Sequence, residues 1–106
     1  MIHYITYSDT DTDKNKVNEL KEVFKTKNFK YGIINMNSLL SDFVKLGEND
    51  TDVILVTELN KMGDILKDAI TPLIKNLSKI KEVYIFVSES EYKDKQSKLL
   101  RIDNEW

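Results

Sequence analysis

The chain has 106 residues, of which 41% are hydrophobic and 32% charged, which suits one globular domain with a modest core. It has no cysteine, hence no disulfide framework or thiolate metal site. It also lacks any apolar run near the roughly 20 residues of a membrane span and opens with no basic-then-apolar leader, so a cytoplasmic protein with no membrane contact is expected. A net charge of −2 with Arg101 as the one arginine argues against a general nucleic-acid binder, which draws its affinity from neutralising phosphates.

Ile2 to Tyr7 alternates apolar and β-prone residues and predicts a first strand. Ser8 to Asp13 follows, a polar stretch of helix-capping residue types in which Asp11 or Asp13 suits an N-cap. Val17, Leu20, Val23 and Phe24 then recur at helical spacing and predict an amphipathic helix over 14–29. Tyr31 to Met36 predicts a second strand. Ser38 is placed to cap a short helix carrying Leu39, Leu40, Phe43, Val44 and Leu46, with Gly47 as its C-terminal glycine.

Val53 to Val56 is an unbroken run of branched apolar residues, the mark of a strand buried on both faces. Met62, Ile65, Leu66, Ala69, Ile70, Leu73, Ile74, Leu77 and Ile80 form the longest helical stripe, with Pro72 predicting a kink or break near Thr71. Val83 to Val87 predicts the fourth strand. Ser88 to Ser97 is charged and reads as loop or short helix, and Lys98 to Ile102 as an added edge strand.

The order β-α-β-α-β-α-β predicts a single α/β domain over 1–106: a flavodoxin-like three-layer α/β/α arrangement with a mainly parallel sheet, helices on both faces and strand order 2-1-3-4. That order would set the ends of strands one and three side by side, so that Ser8 and the acids behind it face Thr57 to Asp64 across one crevice.

Residues 52–64 resemble the most recognisable stretch of resolvase/invertase-type serine recombinases, a buried strand followed by Leu-Asp-Arg-Leu-Gly-Arg. Here the hexapeptide is Leu59-Asn60-Lys61-Met62-Gly63-Asp64. The first strand is similar to that family's Tyr-Ala-Arg-Val-Ser-Thr, present as Tyr4-Ile5-Thr6-Tyr7-Ser8-Asp9. The likeness runs over roughly the first 90 residues, through the return strand ending in Ser88-Glu89.

The resemblance implies a nucleophilic serine at Ser8 that attacks a DNA phosphodiester, with Lys61 and Asn60 contacting phosphate or a partner. Thr6, Asp9, Asp11, Glu58 and Asp64 would line the crevice. Such chemistry needs several cations around the phosphoryl oxygens. The departures fall on those cations: Thr6, Lys61 and Asp64 stand where the family has arginine, and Asn60 replaces its aspartate. The chain also stops before that family's dimerisation helix and DNA-binding tail. The expectation is a recombinase-like domain without recombinase activity, acting through a protein partner or as a homodimer, with only weak DNA contact.

Residual strand cleavage by Ser8 is the first alternative, and a TIR-like or receiver-like signalling module the second. The receiver lacks its aspartate, since Val56-Thr57-Glu58 ends the third strand, and the TIR enzyme lacks a recognisable glutamate motif. Asp9, Asp11 and Asp13 begin like a calcium loop, but Lys14 and Leu20 stand where glycine and a bidentate glutamate are required. His3, the single histidine, has neither cysteine nor a second histidine to complete a metal site. No glycine-rich phosphate loop is present, and no cofactor or metal is expected. Trp106 and the five tyrosines do not interleave with a lysine cluster, so a base-stacking platform is not indicated.

Overall fold

A computed structural model describes residues 1–95 and 97–105, with side chains described through residue 102; Trp106 lies outside the described residues. The elements are β1 (Ile2–Tyr7), α1 (Lys14–Thr26), β2 (Tyr31–Ile34), α2 (Leu40–Glu48), β3 (Val53–Val56), a 3-10 turn (Leu59–Lys61), α3 (Asp64–Ser78), β4 (Glu82–Ser88), α4 (Glu89–Asp94) and a 3-10 segment (Lys98–Glu105). All strand pairs are parallel and helices pack on both sheet faces, the layered α/β class expected from the alternation of elements.

The strand order is β1-β4-β3-β2. β1 is therefore an edge strand paired with β4, where the order 2-1-3-4 would have set it between β2 and β3. Burial gives the physical reason. β3 is buried throughout, and Val83, Ile85, Phe86 and Val87 of β4 are all buried, so these two strands take the centre. β1 carries the half-exposed His3, Tyr4, Ile5 and Thr6, and β2 leaves Tyr31 and Ile33 exposed, as edges do.

Period-two alternation divides the central strands between two cores. Ile54, Val56, Val83, Ile85 and Val87 face α2, α3 and the C-terminal 3-10 segment, together with Phe43, Ile70, Ile74, Leu77, Leu99, Leu100 and Ile102. Val53, Leu55 and Phe86 face α1 through Val17 and Phe24. Gly32 lets α2 approach β2: a Cβ there would lie 2.1 Å from Leu46 Cδ2.

Several local expectations are corrected. α1 ends at Thr26 instead of Phe29, and Asn28 turns the chain with φ 61°. Gly47 lies inside α2, which runs on to Glu48; a Cβ there would make ordinary contact with Leu77, so the packing does not require a stop. Ser38 accepts from the Asn35 amide, and the α2 N-terminus is instead closed by Asp42 accepting from Leu39 N–H at 2.8 Å. α3 passes through Pro72 unbroken, with the Thr71 hydroxyl donating to the Lys67 carbonyl at 2.7 Å.

On α3, Ile65 faces solvent while Lys67, Thr71 and Ser78 are buried, and Ile80, just past the helix, is exposed as well. The helix is rotated so that Lys67 reaches Glu91 of α4, and the tail covers its flank. The tail itself is 3-10 helix, not an edge strand, because Leu99, Leu100 and Ile102 are all buried in the larger core, a spacing one strand face cannot supply. No described helix is long and apolar enough to cross a membrane.

Candidate functional site

The carboxyl ends of the strands carry two separate arrangements, because β4 stands between β1 and β3. At the β1–β4 end, the Asp9 carboxylate accepts from Ser90 N–H at 3.0 Å and from the Ser90 hydroxyl at 2.9 Å. Those two donors hold its pKa below the ordinary aspartate value, the backbone donor contributing most. Ser8 is exposed beside them, its hydroxyl 3.1 Å from that of Thr10. Asp11 accepts from Thr12 N–H at 2.8 Å, a local turn, and Thr6 is half-buried on β1.

The second arrangement is a cleft of about 520 Å³ between α1 and the ends of β2 and β3. One wall is the α1 face bearing Lys14, Asn18 and Lys21, at the i, i+4, i+7 spacing that aligns side chains on one side of a helix. The opposite wall is Asn35, Thr57, Glu58, Asn60 and Lys61, and Val17 and Ile33 form an apolar floor. Thr57 is fixed by two bonds to the Ile34 carbonyl, from its amide at 2.8 Å and its hydroxyl at 3.1 Å.

Asp13 joins the two walls. It occupies the N-cap position of α1, yet its carboxylate makes no cap bond and instead accepts from Glu58 N–H at 2.7 Å. Glu58 is held in the left-handed region at φ 60°, a conformation that costs a non-glycine residue about 1–2 kcal/mol. Its carboxylate accepts from Lys61 Nζ at 3.0 Å. A strained residue fixed from both sides at the mouth of a cleft is where functional constraint concentrates.

Of the residues singled out from sequence, the cleft collects Glu58, Asn60 and Lys61. Ser8, Asp9, Asp11 and Thr6 stay on the β1 side, and Asp64 lies exposed in the first turn of α3. Sequence reasoning missed Asp13 as the tie across the cleft and Lys14, Asn18 and Lys21 as its wall. The period of α1 carried the signal for that wall, since those positions lie one step around from the buried Val17 and Phe24.

A third region is apolar. A groove of about 200 Å³ runs between α2 and α3, lined by Leu40, Phe43, Val44, Leu73, Leu77 and Ile80, with Asn76 its one polar member. Of these, Leu40 is 65% exposed, Val44 52% and Ile80 65%. Among the described residues, no cluster of three His, Cys, Asp or Glu side chains could hold a metal ion. Comparison with protein-family models, with curated proteins and with solved structures found no match.

Proposed function

We propose that this protein is a non-catalytic interaction module that receives an amphipathic helix of a partner protein in the groove between α2 and α3. The supporting observation is the set of exposed apolar side chains, Leu40, Val44 and Ile80, that line that groove. Adjacent apolar side chains this exposed mark an interaction surface more often than a solvated one, and a trough between two helices suits the apolar stripe of a third. Lys45 and Lys79 adjoin Val44 and Ile80 in sequence and are exposed, so the partner helix carries acidic residues beside its stripe.

Strand cleavage has no supporting geometry. Ser8 is bonded to Thr10, and β4 separates its strand from the one that leads to Asn60 and Lys61. The link to DNA recombination rests on the sequence likeness of the two motifs alone.

The test is selection of displayed helical peptides against the wild-type chain, with counter-selection against the double variant Leu40→Asp, Val44→Asp. Both positions are exposed, so the variant should keep its fold and unfolding midpoint. The expected winners carry apolar residues at i, i+3, i+4 and i+7 flanked by acids, and bind the variant at least tenfold more weakly. Winners that bind both proteins equally would refute the groove. A wild-type dimer in sedimentation equilibrium that the variant abolishes would make a second copy of the chain the occupant instead.

A further inference from the structure

We infer that the polar cleft beside α1 binds a phosphorylated small molecule of the size of a nucleoside monophosphate. This is a second site, on the opposite face of the sheet from the apolar groove and independent of it.

Three observations converge on an anion. Lys14 and Lys21 line the cleft from one helix face and have no ion-pair partner among the described residues, whereas Lys61 is paired with Glu58. Lys14, the first residue of the 13-residue helix α1, lies at the cleft, and no side chain caps that helix N-terminus, because the Asp13 carboxylate is turned to the Glu58 amide. Uncapped first-turn amides and the positive end of a helix attract phosphate oxygens. Five charged side chains line the cleft, three lysines against Asp13 and Glu58, so its lining carries one net positive charge in a chain of net charge −2.

The remaining lining decides what the anion is attached to. Asn18 and Asn60 each offer a donor and an acceptor, and Asn35, whose Oδ1 accepts from Asn37 N–H at 2.9 Å, offers its amide donor, a set suited to base edges and sugar hydroxyls. Val17 and Ile33 give an apolar floor for a ring face. A cleft of about 520 Å³ falls inside the range of small-molecule sites, roughly 300–1,000 Å³. A nucleic-acid strand is disfavoured: two unpaired lysines and a net negative chain give little counterion release.

The experiment records amide chemical shifts of the full chain while titrating each of the four nucleoside monophosphates, adenosine and inorganic phosphate. The expected result is saturable shifts at Lys14, Asn18, Lys21, Asn35, Thr57 and Asn60 for at least one monophosphate at submillimolar concentration. Adenosine and phosphate should each be at least tenfold weaker. Lys14→Gln and Lys21→Gln should each weaken binding about fivefold to tenfold with an unchanged unfolding midpoint, the loss of one charge-assisted contact. Inorganic phosphate binding as tightly as the monophosphate would mean an adventitious ion only, and would overturn the inference. So would no saturable shift from any monophosphate up to several millimolar, or affinities unchanged in both variants.

Discussion

The two faces of the sheet are built to different thickness. One face is closed by α2, α3 and the C-terminal 3-10 segment, with Ile54, Val56, Ile74, Ile85, Leu99 and Ile102 wholly inaccessible. The other is crossed by α1 alone, over Leu55 and Phe86. A single helix does not span four strands about 4.8 Å apart. A trough is left on each side of it: the polar cleft over β2, and a smaller one of about 240 Å³ over β1, lined by Ile5, Lys16, Glu19, Leu20 and Val23. Stability is thus concentrated on one face, while the other is left open enough to bind. The thick face presents its own apolar groove only on its outer surface, between helix backs.

The sharpest way to break this contrast is one core truncation on each face. Ile74→Ala should cost about 4 kcal/mol, because a wholly buried side chain leaves a cavity its packed neighbours cannot fill. Val17→Ala should cost only about 1.5 kcal/mol: it removes two methyl groups from a wall that already borders the open cleft. Urea unfolding measures both. Equal costs would mean that the α1 face is as tightly packed as the other.

A polar tie on the thick face sharpens the contrast. Lys67 of α3 and Glu91 of α4 form an ion pair whose side chains are only 10% and 15% exposed, so solvent screens it little. Glu91→Ala leaves the lysine charge buried without its partner and should cost about 3 kcal/mol. The double change Lys67→Met, Glu91→Leu should return the midpoint close to wild type, since it removes both desolvated charges. If both variants unfold together, the pair contributes position and not energy.

The elements were legible wherever burial is symmetric. The apolar runs at Val53–Val56 and Val83–Val87 declared the two central strands, and the stripes after Lys14 and Met62 declared helices. The order 2-1-3-4 does not hold, and β1 itself carries the reason: His3, Tyr4 and Thr6 dilute its apolar content as in an edge strand, while β4 is apolar on both faces. The flavodoxin-like order 2-1-3-4, which sets Ser8 opposite Thr57 to Asp64, passes over that difference.

The cleft was half legible. Glu58, Asn60 and Lys61 follow from the rule that sites lie beyond strand ends. Lys14, Asn18 and Lys21 depend on which way α1 lies across the sheet, a consequence of topology and not of local pattern. Residue type suits Asp11 or Asp13 to the N-cap of α1, and Asp13 takes that position, but its carboxylate satisfies the strained Glu58 amide instead of capping the helix. The tail was misread for a related reason: apolar residues at 99, 100 and 102 fit a strand pattern only if their faces are ignored.

The smallest expected effect lies where the two faces meet at the end of β1. Tyr7 is buried on the α1 side, and its hydroxyl has no hydrogen-bond partner among the described residues. Burial, with the charges of Asp13, Glu91 and Asp9 added, pushes the phenol up from 10.0 to about 12. The protonated form is therefore favoured in the fold. Its contribution is fully present below pH 10 and is lost as the pH rises through 12. Tyr7→Phe removes an unsatisfied buried group and should raise stability at pH 8 by about 1 kcal/mol. It should also remove part of the alkaline loss, so the gap between variant and wild type widens from pH 8 to pH 11. Urea midpoints at the two pH values decide it. A variant less stable at pH 8 would mean that the hydroxyl is bonded in solution, and the thin face would then be more fully satisfied at this corner than its open troughs imply.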